Sequence, residues 1–168
     1  MRHAMLFFIL IMGVCLVHTG TTLAAAEDGW ISLFDGKSLD GWKPTEENPD
    51  SFKVEEGKIV VHGPRAHLYY DGPVHNHDFK NFEYKVEVMT TKGSNSGLYI
   101  HTKWESGDWP NFGYEAQVNN SQSDPQKTGG LYDVVKVFEA PAKDDEWFQY
   151  HITVQGKTIT IKINGQTT

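Results

Sequence analysis

The amino-acid sequence predicts an all-β fold, an antiparallel two-sheet β-sandwich or jelly roll. From Trp30 onward, apolar and polar residues alternate with a period of two in short segments, and glycine, asparagine and aspartate separate these segments. No stretch carries the 3.6-residue repeat of an amphipathic helix. Short alternating strands without helices between them are typical of β-sandwiches and jelly rolls.

Three segments show this alternation most clearly. Residues 82–88 place apolar side chains on one face and charges on the other, as a half-buried antiparallel strand requires. Near the end of the chain two runs each share one face: Phe148, Tyr150, Ile152 and Val154, and then Ile159, Ile161 and Ile163. The segments 155–157 (QGK) and 164–165 (NG) are predicted to be tight turns after these two runs.

Composition limits the classes of protein to consider. Of the 168 residues, 39% are hydrophobic and 22% are charged, which is typical of a globular domain and excludes fibrous or low-complexity chains. The 15 Lys and Arg against 22 Asp and Glu give a formal net charge of -7. A phosphate-binding footprint is therefore missing, and nucleic acid is not an expected partner.

The first 26 residues are predicted to be a secretory signal peptide. A basic start and an apolar segment too short to span a bilayer precede Ala24-Ala25-Ala26, an A-x-A cleavage site. Removal of this leader takes away the only cysteine, Cys15, so the mature chain forms no disulfide. The expected product is a secreted or periplasmic single domain, residues 27–168, with no stable membrane insertion.

Two central strands are predicted to place polar and aromatic side chains on the face away from the core. In residues 97–103 the alternation assigns Tyr99, His101 and Lys103 to that face, and in residues 113–119 it assigns Glu115, Gln117 and Asn119. If the strands are neighbours, these side chains form one polar surface. The hairpin between them adds three aromatic residues, Trp104, Trp109 and Phe112. Flat rings beside polar groups favour sugars, whose C–H faces are apolar and whose hydroxyls need directional partners.

Seven segments in a fixed order carry a family resemblance: LFDGKSLDGW at 33–42, FKVEEG at 52–57, NSGLY at 95–99, GYEAQ at 113–117, GLY at 130–132, EW at 146–147 and NG at 164–165. Together they resemble the 3-keto-disaccharide hydrolase family from about Gly29 to Gly165. The resemblance implies a concanavalin-A-like jelly roll and action on glycosides whose sugar is oxidised at carbon 3.

The sequence departs from the family pattern at three places. Phe148 follows the Glu-Trp pair where the family usually has Asn, and Asn119 follows the Gly-x-Glu-x-Gln strand where it usually has Asp. The family also continues with further strands past the Asn164-Gly165 turn. The domain is therefore expected to lack its C-terminal strands.

Cleavage of a 3-keto-glycoside needs a base for the acidified C2 proton, a stabiliser for the enolate and an acid for the leaving oxygen. Glu115 is the first candidate acid or base and His101 the second. Conventional glycoside hydrolysis would instead use two carboxylates, with Asp133 as the second. The expected substrate-binding residues are Tyr99, Lys103, Trp104, Trp109, Gln117 and Tyr132.

Two alternatives stay open at this stage. A divalent metal is a candidate cofactor, with His77, His101 and Glu115 as its candidate ligands. The function itself is either that of an exported enzyme cleaving 3-keto-glycosides, by hydrolysis or by elimination and hydration, or that of a non-catalytic, lectin-like carbohydrate-binding module, because this fold serves both.

Overall fold

Ten short β-strands make up the regular structure of the part of the chain that the structure describes. That part is residues 29–168 of a computed structural model, and Leu33–Thr168 form one compact unit. The strands are β1 Trp42–Pro44, β2 Phe52–Glu55, β3 Lys58–Val61, β4 Leu68–Tyr70, β5 Phe82–Val88, β6 Ser96–Ile100, β7 Tyr114–Val118, β8 Phe148–Gln155, β9 Thr158–Ile163 and β10 Gln166–Thr167. Two short 3₁₀ segments, Pro49–Ser51 and Val74–His77, lie between strands.

Each strand pairing within residues 29–168 is antiparallel. The four-stranded sheet has the order β10-β9-β8-β5, and three two-stranded sheets pair β1 with β4, β2 with β3, and β6 with β7. Strand β8 lies inside the large sheet, between β5 and β9. The sequence-based prediction of an antiparallel all-β architecture is confirmed.

The alternation read from the sequence sets the inner face of the large sheet. The predicted face of β8 is buried along its whole length: Phe148, Tyr150, Ile152 and Val154. In β9, Ile161 and Ile163 are buried beside it, and the apolar residues of β5 pack against the same cluster. Because side chains alternate across a strand, one register places all these apolar groups on the core side.

The predicted turns join these strands. Gln155 pairs with Thr158, so Gly156 and Lys157 form a two-residue loop between β8 and β9. At the second turn Asn164 and Gly165 both have positive φ, at 50° and 79°. Asparagine followed by glycine is the preferred pair where both central residues need the left-handed conformation.

A second layer covers the core. Ile100 of β6, Ala116 and Val118 of β7, and Leu131 beyond them belong to the same buried cluster as β8 and β9. The buried Tyr150 hydroxyl also donates a hydrogen bond to the Gln117 carbonyl oxygen at 3.2 Å, from one layer to the other. The β6–β7 pair and the large sheet therefore form the two packed layers of a β-sandwich.

One part of the predicted polar surface is wrong. Gln117 is 1% exposed and Asn119 is 0% exposed, so neither side chain reaches solvent beside Glu115. The segment 119–131 folds back along β7, with an antiparallel bridge between Ala116 and Leu131. Gln117 N–H donates to the Gly130 carbonyl, and the Asn119 amide donates to the Asp124 and Gln126 carbonyls.

Two sequence-based predictions concern the ends of the domain. The predicted signal peptide, residues 1–26, lies outside the described residues, and the single domain over residues 27–168 stays a prediction. Between residues 29 and 168 the structure contains no helix that is long and apolar enough to cross a membrane.

We expect Ile152→Ala to destabilise the domain by about 2–5 kcal/mol, because Ile152 is fully buried in the central strand and the change leaves a cavity. Urea unfolding measures the loss. Val134→Ala is the matched control, since Val134 is 59% exposed, and it should change stability by less than about 0.5 kcal/mol. Equal losses for the two variants would contradict this placement of the core.

Candidate functional site

The site is built around Glu115 of β7, which lies directly opposite Tyr99 of β6. The two strands are therefore neighbours, which is the condition under which the sequence predicted one polar surface. The Glu115 side chain is half-buried and extends over Gly97, where an added Cβ would overlap its carboxyl group. Gly97 thus leaves the space that the carboxyl group occupies.

Burial dominates the electrostatics of this pair. Loss of solvent raises the pKa of Glu115, a hydrogen bond with the Tyr99 side chain lowers it, and the charge of Asp124 raises it. Burial and the neighbouring Glu115 charge also raise the pKa of Tyr99. Tyr99 therefore remains a neutral phenol that donates a hydrogen bond, while the proton affinity of Glu115 is increased.

Asp124 is the second carboxylate of the site. Its Oδ2 accepts a hydrogen bond from the Tyr132 hydroxyl at 3.0 Å, and the Tyr132 backbone N–H donates to the Glu115 carbonyl at 2.8 Å. Lys127 Nζ donates to the Asp124 carbonyl at 2.8 Å, and the buried Asn119 amide donates to the same carbonyl. Asp124 is thus held at a fixed place beside the Glu115 strand.

Asp133, the predicted second carboxylate, is exposed and has a different partner. Its carboxylate pairs with Lys136 Nζ at 2.9 Å. Asp124, and not Asp133, is among the groups that raise the pKa of Glu115. The structure thus pairs Asp133 with Lys136, and the carboxylate whose charge acts on the pKa of Glu115 is that of Asp124.

His67, just before β4, joins the site from a distant part of the sequence. Its backbone N–H donates to the Thr45 hydroxyl at 3.2 Å, and its carbonyl accepts from the Thr45 N–H at 2.9 Å. Its ring makes edge contacts with the rings of Tyr99 and Trp109, at centroid distances of 5.4 and 5.5 Å. Burial first, and then the Arg65 charge, lower the pKa of His67, while Glu47 and Asp108 oppose this shift.

An ion-pair network holds Trp109 at this place. The Arg65 guanidinium binds both carboxylate oxygens of Glu47, at 2.8 and 3.3 Å, and Asp108 Oδ1 at 2.8 Å. The Arg65 Cζ atom also lies 5.4 Å from the centroid of the Trp109 ring. Although Trp109 is 56% exposed, its loop is therefore tied to the segment that precedes β2.

Two other predicted binding residues in this loop contact different partners. Lys43 Nζ lies 3.7 Å from the Trp104 ring centroid, and Trp104 Nε1 donates to the Pro44 carbonyl at 3.4 Å. Lys103 Nζ lies 4.8 Å from the ring centroid of Phe112. These contacts place neither Lys103 nor Trp104 against the Glu115 carboxyl group.

The prediction that His101 shares the face of Tyr99 is wrong. Strand β6 ends at Ile100, and His101 turns the chain with a positive φ of 56°. Its ring then makes an edge contact with Phe82 of β5, at a centroid distance of 5.8 Å. Strand alternation stops where the backbone leaves the extended conformation.

The candidate metal ligands are not brought together. His77 Nδ1 lies 3.6 Å from Asp71 Oδ1, His101 contacts Phe82, and Glu115 lies beside Tyr99. Among residues 29–168, no three His, Cys, Asp or Glu side chains are grouped so that they can hold a metal ion. The predicted ligand set of His77, His101 and Glu115 is therefore not assembled.

Sequence reasoning missed His67, Tyr69 and Asp124. Burial first, and then the charge of Glu105, raise the pKa of Tyr69, whose ring centroid lies 6.5 Å from that of His67. His67 and Tyr69 alternate across Leu68, which is a short version of the pattern used for the other strands. Asp124 lies in an irregular segment and carries no comparable signal.

The fold and this group of side chains define a β-sandwich protein with a half-buried carboxyl group among aromatic rings. Residues 29–168 match the family described as the 3-keto-alpha-glucoside-1,2-lyase-like domain, and the chain belongs to this family. A curated relative from Bacteroides thetaiotaomicron, named 3-keto-disaccharide hydrolase, is 28% identical over 83% of this chain. The chain spans 56% of that relative's length.

Solved structures support the same fold. Two crystal structures of proteins from Parabacteroides distasonis, provisionally assigned as glycosyl hydrolases, have TM-scores of 0.67 and 0.65, each at 22% identity. The alignments cover 83% and 82% of this chain and 70% and 69% of those proteins. The predicted β-sandwich and the predicted family are confirmed.

We expect Glu115→Gln to raise thermal stability relative to the wild type at pH 8, and to raise it less at pH 4. The folded-state pKa of Glu115 lies above its unfolded value, so folding favours the protonated form. The stability that protonated Glu115 contributes is therefore lost as pH rises through the folded pKa. The amide of Glu115→Gln does not ionise, so the variant does not lose this stability as pH rises. Melting temperatures of both proteins across this range provide the measurement, and a stability difference that grows towards acid pH would contradict it.

Proposed function

We propose that the protein is an exported enzyme that cleaves the glycosidic bond of 3-keto-glycosides. The observation that carries the proposal is the half-buried Glu115 carboxyl group, which lies directly opposite Tyr99 and whose pKa is raised by burial, in a chain of this family. The names of the family and of the Bacteroides relative supply the substrate class. The signal sequence predicted over residues 1–26 supports export.

The chemistry of a 3-keto sugar suits one carboxyl group that both accepts and donates a proton. A carbonyl at C3 acidifies the C2 proton and places the C1 oxygen where the enolate can expel it. A raised pKa makes the Glu115 carboxylate a stronger base and then helps it to keep the proton until the leaving oxygen takes it. Water addition to the resulting double bond completes hydrolysis.

The neighbouring groups fit the binding of a sugar ring. The exposed part of Trp109 offers a flat apolar surface for sugar C–H groups. Tyr132 and Asp124, already hydrogen-bonded to each other, offer a donor and an acceptor for a hydroxyl group. The proposed partner is thus a carbohydrate, and the acidic net charge argues against nucleic acid.

The alternative is a non-catalytic carbohydrate-binding module. The exposure of Trp104 and Trp109 on one loop favours it, because exposed rings bind sugars without any chemistry. Under this alternative Glu115 contributes at most a hydrogen bond to the ligand.

We expect the wild type to release the leaving group from a 3-keto-glucoside and not from its unoxidised parent. Glu115→Gln should lower kcat/KM by at least about 100-fold, because general acid–base catalysis typically contributes that much. Glu139→Gln is the matched control on an exposed carboxylate and should retain activity. Colorimetric release of a nitrophenol from the keto and parent glucosides measures the difference. Wild-type binding without release, lost in Trp109→Ala, would support the binding module instead.

Gly97→Ala tests the position of the carboxyl group without removing it. The added methyl group would overlap the Glu115 carboxyl group, so we expect kcat to fall by about tenfold or more while the protein still melts cooperatively. Gly107→Ala is the control, because its Cβ would meet Glu47 at an ordinary contact distance of 3.5 Å. Full activity in Gly97→Ala would argue against Glu115 as the reacting group.

A further inference from the structure

The two nitrogens of His67 lie in different surroundings. The residue is 8% exposed, and its Nδ1 is buried with no hydrogen-bond partner among residues 29–168. Its Nε2 also has no partner in that part of the chain, yet it is not buried. Buried polar atoms are nearly always hydrogen-bonded, so this one calls for an explanation.

The unpartnered Nδ1 decides where the imidazole carries its proton. A proton on Nδ1 would be a buried N–H donor without an acceptor, whereas a bare Nδ1 leaves only a lone pair unpaired. The neutral tautomer with the proton on Nε2 is therefore favoured, and its N–H donor lies on the nitrogen that is not buried. The imidazolium form would place a proton on Nδ1 as well and is disfavoured for the same reason.

The surroundings of the ring keep it fixed in this orientation. Two backbone hydrogen bonds to Thr45 anchor the residue, and the rings of Tyr99 and Trp109 make edge contacts with the imidazole. The ring centroid of Tyr69 lies 6.5 Å from that of the imidazole. Such preorganisation is what a hydrogen-bond donor needs to stabilise charge that develops during a reaction.

We propose that His67 is a catalytic residue whose neutral Nε2–H donates a hydrogen bond to the C3 oxygen of the substrate and stabilises the enolate. This inference rests on the proposed function and assigns the enolate stabiliser that the reaction needs. It also predicts a preference for oxidised sugars, because only a C3 carbonyl becomes an enolate oxygen.

In the proposed elimination, Glu115 carries the proton from C2 to the leaving oxygen. The Glu115 carboxylate takes the C2 proton, and the C2–H electron pair forms the C2=C3 bond while the C3 oxygen becomes an enolate that accepts from His67 Nε2–H. The enolate then reforms C3=O, the electron pair moves to form C1=C2, and the C1–O bond breaks. The leaving oxygen takes the proton from Glu115, so the products are an enone and an alcohol.

The charged and titratable groups around His67 are consistent with a neutral ring. Arg65, Glu47 and Asp108 act on it electrostatically, and Tyr69 and Tyr99 face it as neutral phenols. Burial has the largest effect and lowers the pKa of His67, so the imidazole stays neutral at pH 7. A neutral imidazole is a weaker acid than the imidazolium and donates a hydrogen bond without losing its proton.

The first test reads the tautomer in the wild-type protein and needs neither a variant nor activity. Nitrogen-15 NMR of the labelled histidines should show His67 with a protonated Nε2 and an unprotonated Nδ1 at pH 7. Assignment comes from the signal that disappears in His67→Phe. A proton on Nδ1, or an imidazolium at pH 7, would overturn the inference.

The second test compares two replacements of His67. His67→Phe keeps a ring and removes the donor, whereas His67→Gln keeps an N–H near the position of Nε2. We expect kcat on a 3-keto-glucoside to fall by about 100-fold or more in His67→Phe, as for loss of an oxyanion donor. The loss of kcat in His67→Gln should be smaller than this by a factor of at least about ten. His62→Gln, on an exposed histidine, is the control and should keep full activity. Equal losses in the Phe and Gln variants would argue for a merely structural role.

The third test separates this inference from the proposed function. A 3-keto-1,5-anhydroglucitol has the carbonyl but no leaving group, and its bound C3=O stretch should shift to lower frequency in the wild type and in Glu115→Gln, but not in His67→Phe. An absent shift in the wild type overturns the role of His67 even if turnover is observed. A shift that depends on His67, without any cleavage of the 3-keto-glucoside, would support hydrogen-bond donation by His67 and contradict the proposed function.

Discussion

The buried hydrogen bond from Tyr150 to the Gln117 carbonyl, at 3.2 Å, joins the two layers on which the rest of the molecule depends. Tyr150 lies in the middle of the central strand β8, with its apolar neighbours on the core side. Gln117 belongs to β7, which carries Glu115 on the same strand. A buried hydroxyl without an acceptor is costly, so this bond fixes β7 against the large sheet. The position of the Glu115 carboxyl group therefore follows from the packing of the core.

Burial also controls the chemistry of the site. The same loss of solvent raises the pKa of Glu115 and lowers that of His67, because in each case it disfavours the charged form. Tyr99 lies between the two, as the cross-strand partner of Glu115 and an edge contact of His67. A carboxyl group with a raised pKa and an imidazole with a lowered pKa therefore share one aromatic neighbour, and the proposed reaction relies on this arrangement.

Segments distant in the sequence complete this arrangement through polar anchors. The Arg65 ion pairs with Glu47 and Asp108 tie the loop of Trp109 to the region before β2. On the other side, the Asn119 amide and Lys127 hold the carbonyl of Asp124, whose carboxylate accepts from Tyr132. Most of these polar groups lie in segments between strands, where alternation makes no prediction, and Asn119 was predicted to face solvent. They instead satisfy backbone and side-chain partners and bring aromatic and acidic groups to the edges of the site.

Alternation and turn chemistry act over a few residues, so the sequence alone was enough to predict strands β5 to β9, the inward faces of those strands and the Asn164-Gly165 turn. Motifs in a fixed order also identified the family. The register that pairs Tyr99 with Glu115, the burial of Gln117 and Asn119, the departure of His101, and the approach of His67 and Asp124 came only from the three-dimensional structure. These outcomes depend on contacts between residues far apart in the sequence, such as Thr45 with His67, 22 residues away. Local patterns carry no information about which distant segment will cover a given face.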